Sequence, residues 1–293
     1  MERSTDSTDC TLSGRAPVTV VIPCFKDADT IHRAVSSALE QTWPPSEVLI
    51  VDDASADKAT SIVLQEIQSE SSGVVRVIFL KDNCGPSVAR NRGWQEASQP
   101  YIAFLDADDA WHPRKLELQM PIMMANGAPA ISGHQRVIAG DSSEGVLRTP
   151  PGKRWFDIST KQLLFRNWLP TSSVIVNASV AYRFNDERRH CEDYDLWLRI
   201  VTSGSRCSYI PIGLAAAFKA PFGEKGLGSQ LSKMEVAQNS VYRELRSNSA
   251  ISRSVYLMLR VWSAIRFARR ITVATARRVL NHNYSRANNV SQT

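Results

Sequence analysis

Residues 101–109, with the sequence YIAFLDADD, are an apolar run that ends in a cluster of acidic side chains. Residues 48–55, VLIVDDAS, have the same plan. A short apolar run bounded by polar residues is typical of a buried strand in a parallel sheet. Because ligands of open α/β sheets bind at the carboxyl ends of the strands, we expect both acidic clusters at one ligand-binding edge.

Carboxylates grouped at one edge repel one another, so they are stable mainly where a cation or hydrogen-bond donors lie among them. Mg²⁺ takes oxygen ligands and usually binds through one or two carboxylates together with substrate phosphates. The two acidic clusters therefore predict that Mg²⁺ or Mn²⁺ bridges phosphate oxygens at this edge of the sheet.

The first half of the chain alternates strand-like and helical patterns. Four runs are predicted strands: residues 18–22, 48–51, 74–80 and 101–105. Between them lie segments with apolar residues at helical spacing, for which Asp29 and Asp57 are predicted N-caps and Pro86 is a predicted first residue. This order predicts an α/β fold with a doubly wound, mostly parallel sheet flanked by helices.

The second half of the chain is less regular. Helices are predicted at residues 113–124, at 193–201 and from about 232 onward. Residues 171–176 are a strand candidate. Residues 140–153 are rich in Gly, Pro and Ser, which predicts a mobile loop, and residues 222–228 are a glycine-rich loop.

The composition is that of an ordinary soluble globular protein. Hydrophobic residues make up 43% of the 293 residues, and no charge-free apolar run is long enough to span a bilayer. Residues 1–16 lack the apolar core of a signal peptide, so we expect a flexible tail and no export. The five cysteines form no C-x-x-C pair, which favours a reducing cytoplasm and argues against structural zinc.

The charge is unevenly distributed along the chain. The net charge is +6, but residues 245–293 contain nine Arg, no Lys and no acidic residue, so the preceding part is formally −3. These arginines alternate with apolar residues, as in basic amphipathic helices that lie on anionic membranes. The alternative is a helix that packs on the protein with an arginine-rich solvent face. No nucleic-acid-binding motif accompanies the charge, so nucleic acid is not an expected partner.

Six segments match a known pattern in order. They are residues 20–25 (VVIPCF), 37–42 (SALEQT), 50–57 (IVDDASAD), 83–85 (NCG), 89–91 (ARN) and 104–109 (FLDADD). Together they closely resemble family 2 glycosyltransferases of the GT-A fold, over roughly residues 17–215. The resemblance implies a GT-A domain at residues 17–230, with a donor half up to about 110 and an acceptor half from 111. A basic amphipathic helical extension would follow at 231–293.

The resemblance implies a nucleotide-sugar donor. Pro23 and Phe25 would line the base pocket, although the family usually has Tyr followed by Asn where this chain has Phe25 followed by Lys26. A phenyl ring still stacks on a base, but the contact through the hydroxyl is lost. Asp53 would accept a hydrogen bond from the base, which favours a UDP or GDP donor. A helix-capping turn at Asp52 and Asp53 is the alternative.

Residues 106–108, DAD, would be the D-x-D motif of the family. Asp106 is expected to face the ribose or the metal, and Asp108 to coordinate the Mg²⁺ or Mn²⁺ that bridges the donor diphosphate. The metal would offset the charge that develops on the departing diphosphate. Asp109 would either support this site or face solvent.

Residues 191–199, CEDYDLWLR, resemble the E-D motif of the family at the start of an acceptor-side helix. Asp193 is expected to be the general base that takes the proton from the acceptor hydroxyl, and direct displacement inverts the anomeric carbon. Glu192 and Asp195 would support the acceptor side. The alternatives are that Glu192 and Asp193 stabilise the helix dipole and that Asp195 pairs with Arg199.

Two basic residues are further donor-side candidates. Arg90, on the helix before the fourth predicted strand, would support the donor pocket or have a structural role. Lys219, which precedes the glycine-rich loop, would close over the diphosphate and exclude water. An ordinary exposed lysine is the alternative for Lys219.

We therefore expect an inverting, metal-assisted, hexosyltransferase-type glycosyltransferase of the bacterial surface polysaccharide class. The acceptor would be a saccharide or a lipid-linked saccharide, and the location would be the cytoplasm, with peripheral attachment to the inner face of the plasma membrane as an extension of that hypothesis. The alternative enzyme is a haloacid-dehalogenase-like phosphohydrolase that uses residues 106–108. A catalytically degenerate, membrane-docked scaffold is the non-enzymatic alternative, yet none of the expected carboxylates is missing.

Overall fold

The computed structural model describes residues 3–4, 14–138, 154–218 and 231–290, and beyond residue 272 it describes the backbone alone. The chain divides into two compact units, residues 1–219 and 220–293. None of the helices in the described ranges is both long enough and apolar enough to cross a bilayer.

The first unit is built on a mixed sheet with helices around it. Its strands are β1 Arg3–Ser4, β2 Ala16–Cys24, β3 Pro45–Asp52, β4 Val75–Phe79, β5 Tyr101–Phe104, β6 Asp109–Trp111, β7 Ile131–Ile138, β8 Arg154–Asp157, β9 Ile175–Asn177 and β10 Cys207–Ala217. Its helices are α1 Ile31–Leu39, α2 Lys58–Glu70, α3 Pro86–Glu96, α4 Lys115–Met124, α5 Thr160–Phe165 and α6 Glu192–Thr202.

The strand order is β1-β8-β10-β7-β9-β5-β2-β3-β4, and β6 pairs with β10. β2 runs parallel to both β3 and β5, β3 runs parallel to β4, and β7 runs parallel to β10. β9 is antiparallel to both β5 and β7. The predicted doubly wound, mostly parallel sheet is confirmed. The chain leaves β2 towards β3 and later returns on the other side with β5, so the ends of β2 and β5 form a topological switch point, the usual place for a ligand.

The central strands are buried on both faces, as continuous apolar runs require. Phe104 at the end of β5 has ring centroids of Trp94, Phe184 and Trp197 at 5.6, 5.2 and 6.1 Å. Trp197 belongs to α6, so this aromatic cluster holds α6 against the sheet. It thereby brings the first turn of α6 towards the carboxyl end of β5.

Helix α3 lies unusually close to the sheet. A Cβ atom on Gly93 would lie 2.4 Å from Cγ1 of Val21 on β2, a distance too short for any side chain at this position. The missing side chain lets α3 settle onto β2. Arg90 lies almost one turn earlier on the same helix and is brought over the ends of the strands.

The predicted helix starts are confirmed in part. Asp57 caps α2 by accepting a hydrogen bond from the backbone N–H of Thr60 at 2.8 Å, and Pro86 is the first residue of α3. The N-cap prediction for Asp29 is wrong, because α1 begins one residue later with Thr30 in the cap position. The carbonyl of Asp27 already accepts from the N–H groups of Thr30 and Ile31, which sets the first turn.

The strand candidate at residues 171–176 is replaced by a 3₁₀ turn, Thr171–Ser173, followed by the short β9. β2 begins at Ala16, inside the predicted tail, because that residue is buried and donates its N–H to Pro44. The predicted loops at 140–153 and 222–228 lie outside the described residues.

The second unit contains α7 Leu231–Ser247 and α8 Arg253–Val290, which pack against each other. Glu235 of α7 is buried and accepts hydrogen bonds from the Ser263 hydroxyl at 2.6 Å and from Arg270 at 3.1 Å, both on α8. A buried carboxylate needs such partners, so this contact fixes how α8 is rotated against α7.

Candidate active site

The Arg90 guanidinium connects the two acidic motifs. Its Nη2 lies 2.7 Å from Oδ1 of Asp106, and its Nη1 lies 3.4 Å from Oε1 of Glu192 at the start of α6. The side chain is 6% exposed. Burial opposes the guanidinium charge, but the two carboxylates outweigh burial and raise the pKa of Arg90. Arg90 therefore has the structural role that was one of its two predicted readings, and a donor contact through it stays a prediction.

Asp106 remains an anion in this arrangement. Burial favours its neutral form, but the Arg90 guanidinium outweighs burial and lowers the pKa of the carboxyl. Its backbone N–H donates to the Ser172 hydroxyl at 3.2 Å, so the 3₁₀ turn supports the turn of residues 106–108 from the side of β9.

Asp109 supports this turn from inside the protein, the first of its two predicted alternatives. Its carboxylate is buried and accepts hydrogen bonds from the Ser172 hydroxyl and, at 3.4 Å, from Arg136 on β7. Burial, followed by the nearby charge of Asp106, raises the pKa of Asp109 to about 7.

Asp108 lies half-buried on the same turn, and its carbonyl accepts a hydrogen bond from Arg33 at 2.8 Å. Within the described ranges, no group of three or more His, Cys, Asp or Glu side chains is arranged to hold a metal ion. Two carboxylates on one turn fit a divalent cation that takes its other ligands from phosphates and water. Oδ1 of Asp106 accepts from Arg90, and coordination of a cation by Asp106 and Asp108 stays a prediction.

Asp193 is held by the loop that follows α5. Its Oδ2 accepts from the Asn167 amide at 3.4 Å and from the Thr171 hydroxyl at 3.3 Å, while Oδ1 accepts from the backbone N–H of Tyr194 at 2.6 Å. Burial, followed by the charge of Glu192, raises the pKa of Asp193 to about 6. A carboxylate in this range is suited to general-base work near neutral pH.

Asp53 fastens the end of β3 to the start of α3. Its Oδ1 and Oδ2 accept hydrogen bonds from the N–H groups of Cys84 at 2.8 Å and Gly85 at 2.7 Å. Asp57 rather than Asp53 is the N-cap of α2, whereas Asp52 holds the turn before that helix by accepting from the N–H of Ser55 at 3.1 Å. Each carboxylate oxygen has a further acceptor position, so a contact between Asp53 and the base stays a prediction.

Phe25 lies just beyond β2 at the same edge, and 42% of its side chain is exposed. Lys26 Nζ lies 5.2 Å from the centre of its ring. An exposed aromatic face at a strand end suits stacking with a base. Pro23 is half-buried within β2. The structure thus gathers Pro23, Phe25, Asp53, Asp106 and Asp108 at the ends of three neighbouring strands.

Asp195 takes part in an ion pair within α6. It is buried, and its Oδ2 lies 2.8 Å from Nη2 of Arg199 and 4.0 Å from Nε of Arg188. The alternative of an Asp195–Arg199 pair is confirmed, and support of the acceptor stays a prediction. Lys219, a predicted donor-side residue, lies outside the described residues.

The family model described as glycosyl transferase family 2 matches residues 19–190, which is more than half of the chain. The chain belongs to glycosyl transferase family 2. It is a glycosyltransferase, and the phosphohydrolase alternative is wrong. A phosphohydrolase of that kind would need Asp106 as a free nucleophile, whereas Asp106 is ion-paired to Arg90.

Similar family 2 proteins are known from bacteria. The UDP-Glc:alpha-D-GlcNAc-diphosphoundecaprenol beta-1,3-glucosyltransferase WfgD of Escherichia coli is 30% identical over 66% of this chain and 74% of its own. The succinoglycan biosynthesis protein ExoO of Rhizobium meliloti is 33% identical over 66% of this chain and 58% of its own.

Solved structures share the fold. S. aureus TarS 1-349 in complex with UDP-GlcNAc matches with a TM-score of 0.63, covering 83% of this chain and 70% of its own at 17% identity. Mannosyltransferase PcManGT from Pyrobaculum calidifontis, in complex with GDP-Man and Mn²⁺, matches with a TM-score of 0.62 at 15% identity, covering 94% and 81%. The predicted GT-A fold is confirmed.

Several residues of this family 2 site were missed by the sequence analysis. They are Arg33, Arg136, Asn167, Thr171 and Ser172. None of them belongs to an acidic cluster, and no local pattern marks them as site residues. Their roles come from chain segments that meet only in the folded protein.

Proposed function

We propose that this glycosyltransferase moves a sugar from a nucleoside-diphosphate sugar to a hydroxyl of a lipid-linked saccharide, with inversion at the anomeric carbon. The observation that carries the proposal is the Arg90 bridge between Asp106 and Glu192. It joins the strand ends, where a diphosphate and a cation fit, to the helix that holds a carboxylate with a pKa of about 6.

The donor lies, in this proposal, along the ends of β2, β3 and β5. Phe25 stacks on the base, Asp53 fixes the surrounding loop, and Asp108, supported by Asp106, holds Mg²⁺ or Mn²⁺. The bound cation supplies stabilisation of the negative charge on the leaving diphosphate. The UDP-GlcNAc and GDP-Man complexes of the two structural neighbours support a UDP or GDP donor.

Asp193 is the proposed general base. The acceptor hydroxyl donates its proton to this carboxylate as the oxygen attacks the anomeric carbon from the side opposite the diphosphate, which inverts the configuration. Asn167 and Thr171 orient the carboxylate, and Glu192 raises its proton affinity. Positioned bases contribute roughly 10²–10⁴-fold to the rate.

The proposed acceptor is a saccharide on a lipid diphosphate at the inner face of the plasma membrane. Support comes from the glucosyltransferases WfgD and WfaP of Escherichia coli, whose acceptor is alpha-D-GlcNAc-diphosphoundecaprenol. The nine arginines within residues 245–293, unaccompanied by acidic residues, fit an anionic surface.

The test is a binding screen of UDP-glucose, UDP-GlcNAc and GDP-mannose, each with and without Mn²⁺. A ligand at a hundredfold excess over its dissociation constant stabilises the native state by about 2.7 kcal/mol, so one nucleotide class should raise the melting temperature in a metal-dependent way. Asp108→Asn should remove the metal dependence, whereas Glu70→Gln, at the end of α2, should leave it unchanged. The absence of any metal-dependent shift from folded protein would contradict the proposal.

A further inference from the structure

Helix α8 exposes a row of large apolar side chains. Between 40% and 62% of each side chain is accessible to solvent. We call this row the apolar face, and it consists of Leu257, Met258, Val261, Trp262 and Ile265. With 3.6 residues per turn, these five positions fall within an arc of about 140°. A contiguous exposed patch of this kind marks an interaction surface rather than scattered surface residues.

The opposite side of α8 is already used for packing. Leu259 and Ser263 are buried, and the Ser263 hydroxyl and Arg270 both donate to the buried Glu235 of α7. Because these contacts fix the rotation of α8 on α7, the apolar face cannot turn inward without breaking a buried carboxylate contact. Between residues 253 and 272, the side of α8 that faces away from α7 therefore carries large apolar side chains as well as exposed arginines.

Exposed arginines accompany the apolar face. Arg253, Arg260 and Arg269 are exposed on the same helix. From residue 245 to the last residue the sequence holds no acidic side chain that would neutralise them. Apolar side chains flanked by exposed arginines match the two layers of an anionic bilayer surface, where acyl chains lie beneath phosphates.

We propose that α8 lies in the plane of an anionic lipid surface, with the apolar face among the acyl chains and the arginines at the phosphates. Trp262 suits this depth, because an indole ring places an apolar body beside a polar N–H group. The inference rests on the proposed function, which is transfer to a lipid-linked acceptor at the membrane, and it names the surface of α8 that contacts the lipid.

The experiment measures partition of the full chain onto vesicles of phosphatidylcholine alone and onto vesicles with equal parts of phosphatidylcholine and phosphatidylglycerol. The mixed vesicles should bind far more protein, and added salt should weaken binding without abolishing it. Ile265→Asp should lower the partition constant about tenfold or more, because it forces a carboxylate among acyl chains. Val261→Asp gives a second position with the same expectation.

Ile62→Asp is the matched control. Ile62 lies on α2, is 53% exposed compared with 57% for Ile265, and undergoes the same change of side chain and charge. Its partition constant should equal that of the wild type. Equal losses in both variants, or none in the folded Ile265→Asp and Val261→Asp proteins, would overturn the inference.

A second copy of the chain is the competing occupant of the apolar face. If Ile265→Asp converted a dimer to a monomer while vesicle binding stayed unchanged, the face would be a protein interface and the inference would be wrong. Vesicle binding without binding of any nucleotide sugar would instead contradict the proposed function and leave the docking surface intact.

Discussion

The two side-chain donors to Asp193 should control the pH dependence of transfer. Asn167 and Thr171 donate to the same oxygen at 3.4 and 3.3 Å. Donors to a carboxylate favour its charged form, so removing them should raise its pKa. The double variant Asn167→Ala, Thr171→Val deletes both donors and leaves the carboxylate itself in place.

The size of the effect follows from the geometry. Hydrogen bonds to charged groups contribute roughly 1.5–3 kcal/mol, but these two are long, so each is assigned only about 0.5–1 kcal/mol. The double variant then loses about 1–2 kcal/mol of preference for the anion. At 1.36 kcal/mol per pKa unit, the pKa should rise by about one unit, from about 6 towards about 7.

The assay is the pH profile of kcat/KM for transfer. Both proteins should reach a similar plateau above pH 8, whereas near pH 6 the double variant should be about fivefold slower because less of its base is deprotonated. A variant with Thr171→Ser in place of Thr171→Val keeps the hydroxyl, so its pH profile should lie between those of the double variant and the wild type. The charges of Glu192, Arg90 and Asp106 act on Asp193 in both proteins and are unchanged by these substitutions.

A purely structural role of these residues predicts a different result. In that case kcat/KM would fall by the same factor at every pH, and the apparent pKa of the pH profile would not change. That outcome would refute the reasoning, as would an Asp193→Asn variant that retains transfer. Donor binding by Asp193→Asn should persist, because the proposed role of the Asp193 carboxylate lies on the acceptor side.

Three further substitutions test the frame around the site. Arg90→Met leaves two carboxylates without their buried cation and should lower the free energy of unfolding in urea by roughly 3–5 kcal/mol; an unchanged midpoint would contradict the bridge. Ala54 has a φ of 56°, so Ala54→Gly should stabilise the protein by roughly 0.5–1 kcal/mol, while Ala97→Gly, at an ordinary φ of −67°, should not. Burial holds the pKa of the Lys115 amine well below its usual value. The lysine therefore binds a proton more readily in the unfolded chain, and this favours unfolding more strongly as the pH falls. Lys115→Met removes the effect, so it should be more stable than the wild type at pH 6, by a larger margin than at pH 9.

The parallel half of the sheet could be predicted because its strands are complete in themselves. β2, β3 and β5 are continuous apolar runs with polar residues at their ends, and burial on both faces requires that pattern. The other half of the sheet, which contains the antiparallel pairs, carries no such signal. β6 and β9 are three residues long, and β10 contains Pro211 and shifts of register near Gly213. Their partners are distant in sequence, so pairing decides them rather than local preference.

The candidate site divides along the same line. Asp53, Asp106 and Asp108 could be predicted because strand ends in an α/β sheet meet at one edge. The bridging role of Arg90 could not, since it depends on the close approach of α3 at Gly93. Asn167 and its neighbours reach the site on a loop whose path is set by tertiary packing.

The Arg90 bridge makes the donor and acceptor sides electrostatically dependent on each other. The Arg90 guanidinium lowers the pKa of Asp193 and the Asp106 carboxylate raises it, so the proton affinity of the base responds to charge at the strand ends. Cationic charge beside Asp106 would offset its field, which favours the deprotonated form of Asp193. Added positive charge at the strand ends would therefore lower the pKa of Asp193 and leave more of its carboxylate deprotonated near pH 6. In the proposed function, Arg90 and Asp106 thereby link the donor edge to the carboxylate that activates the acceptor.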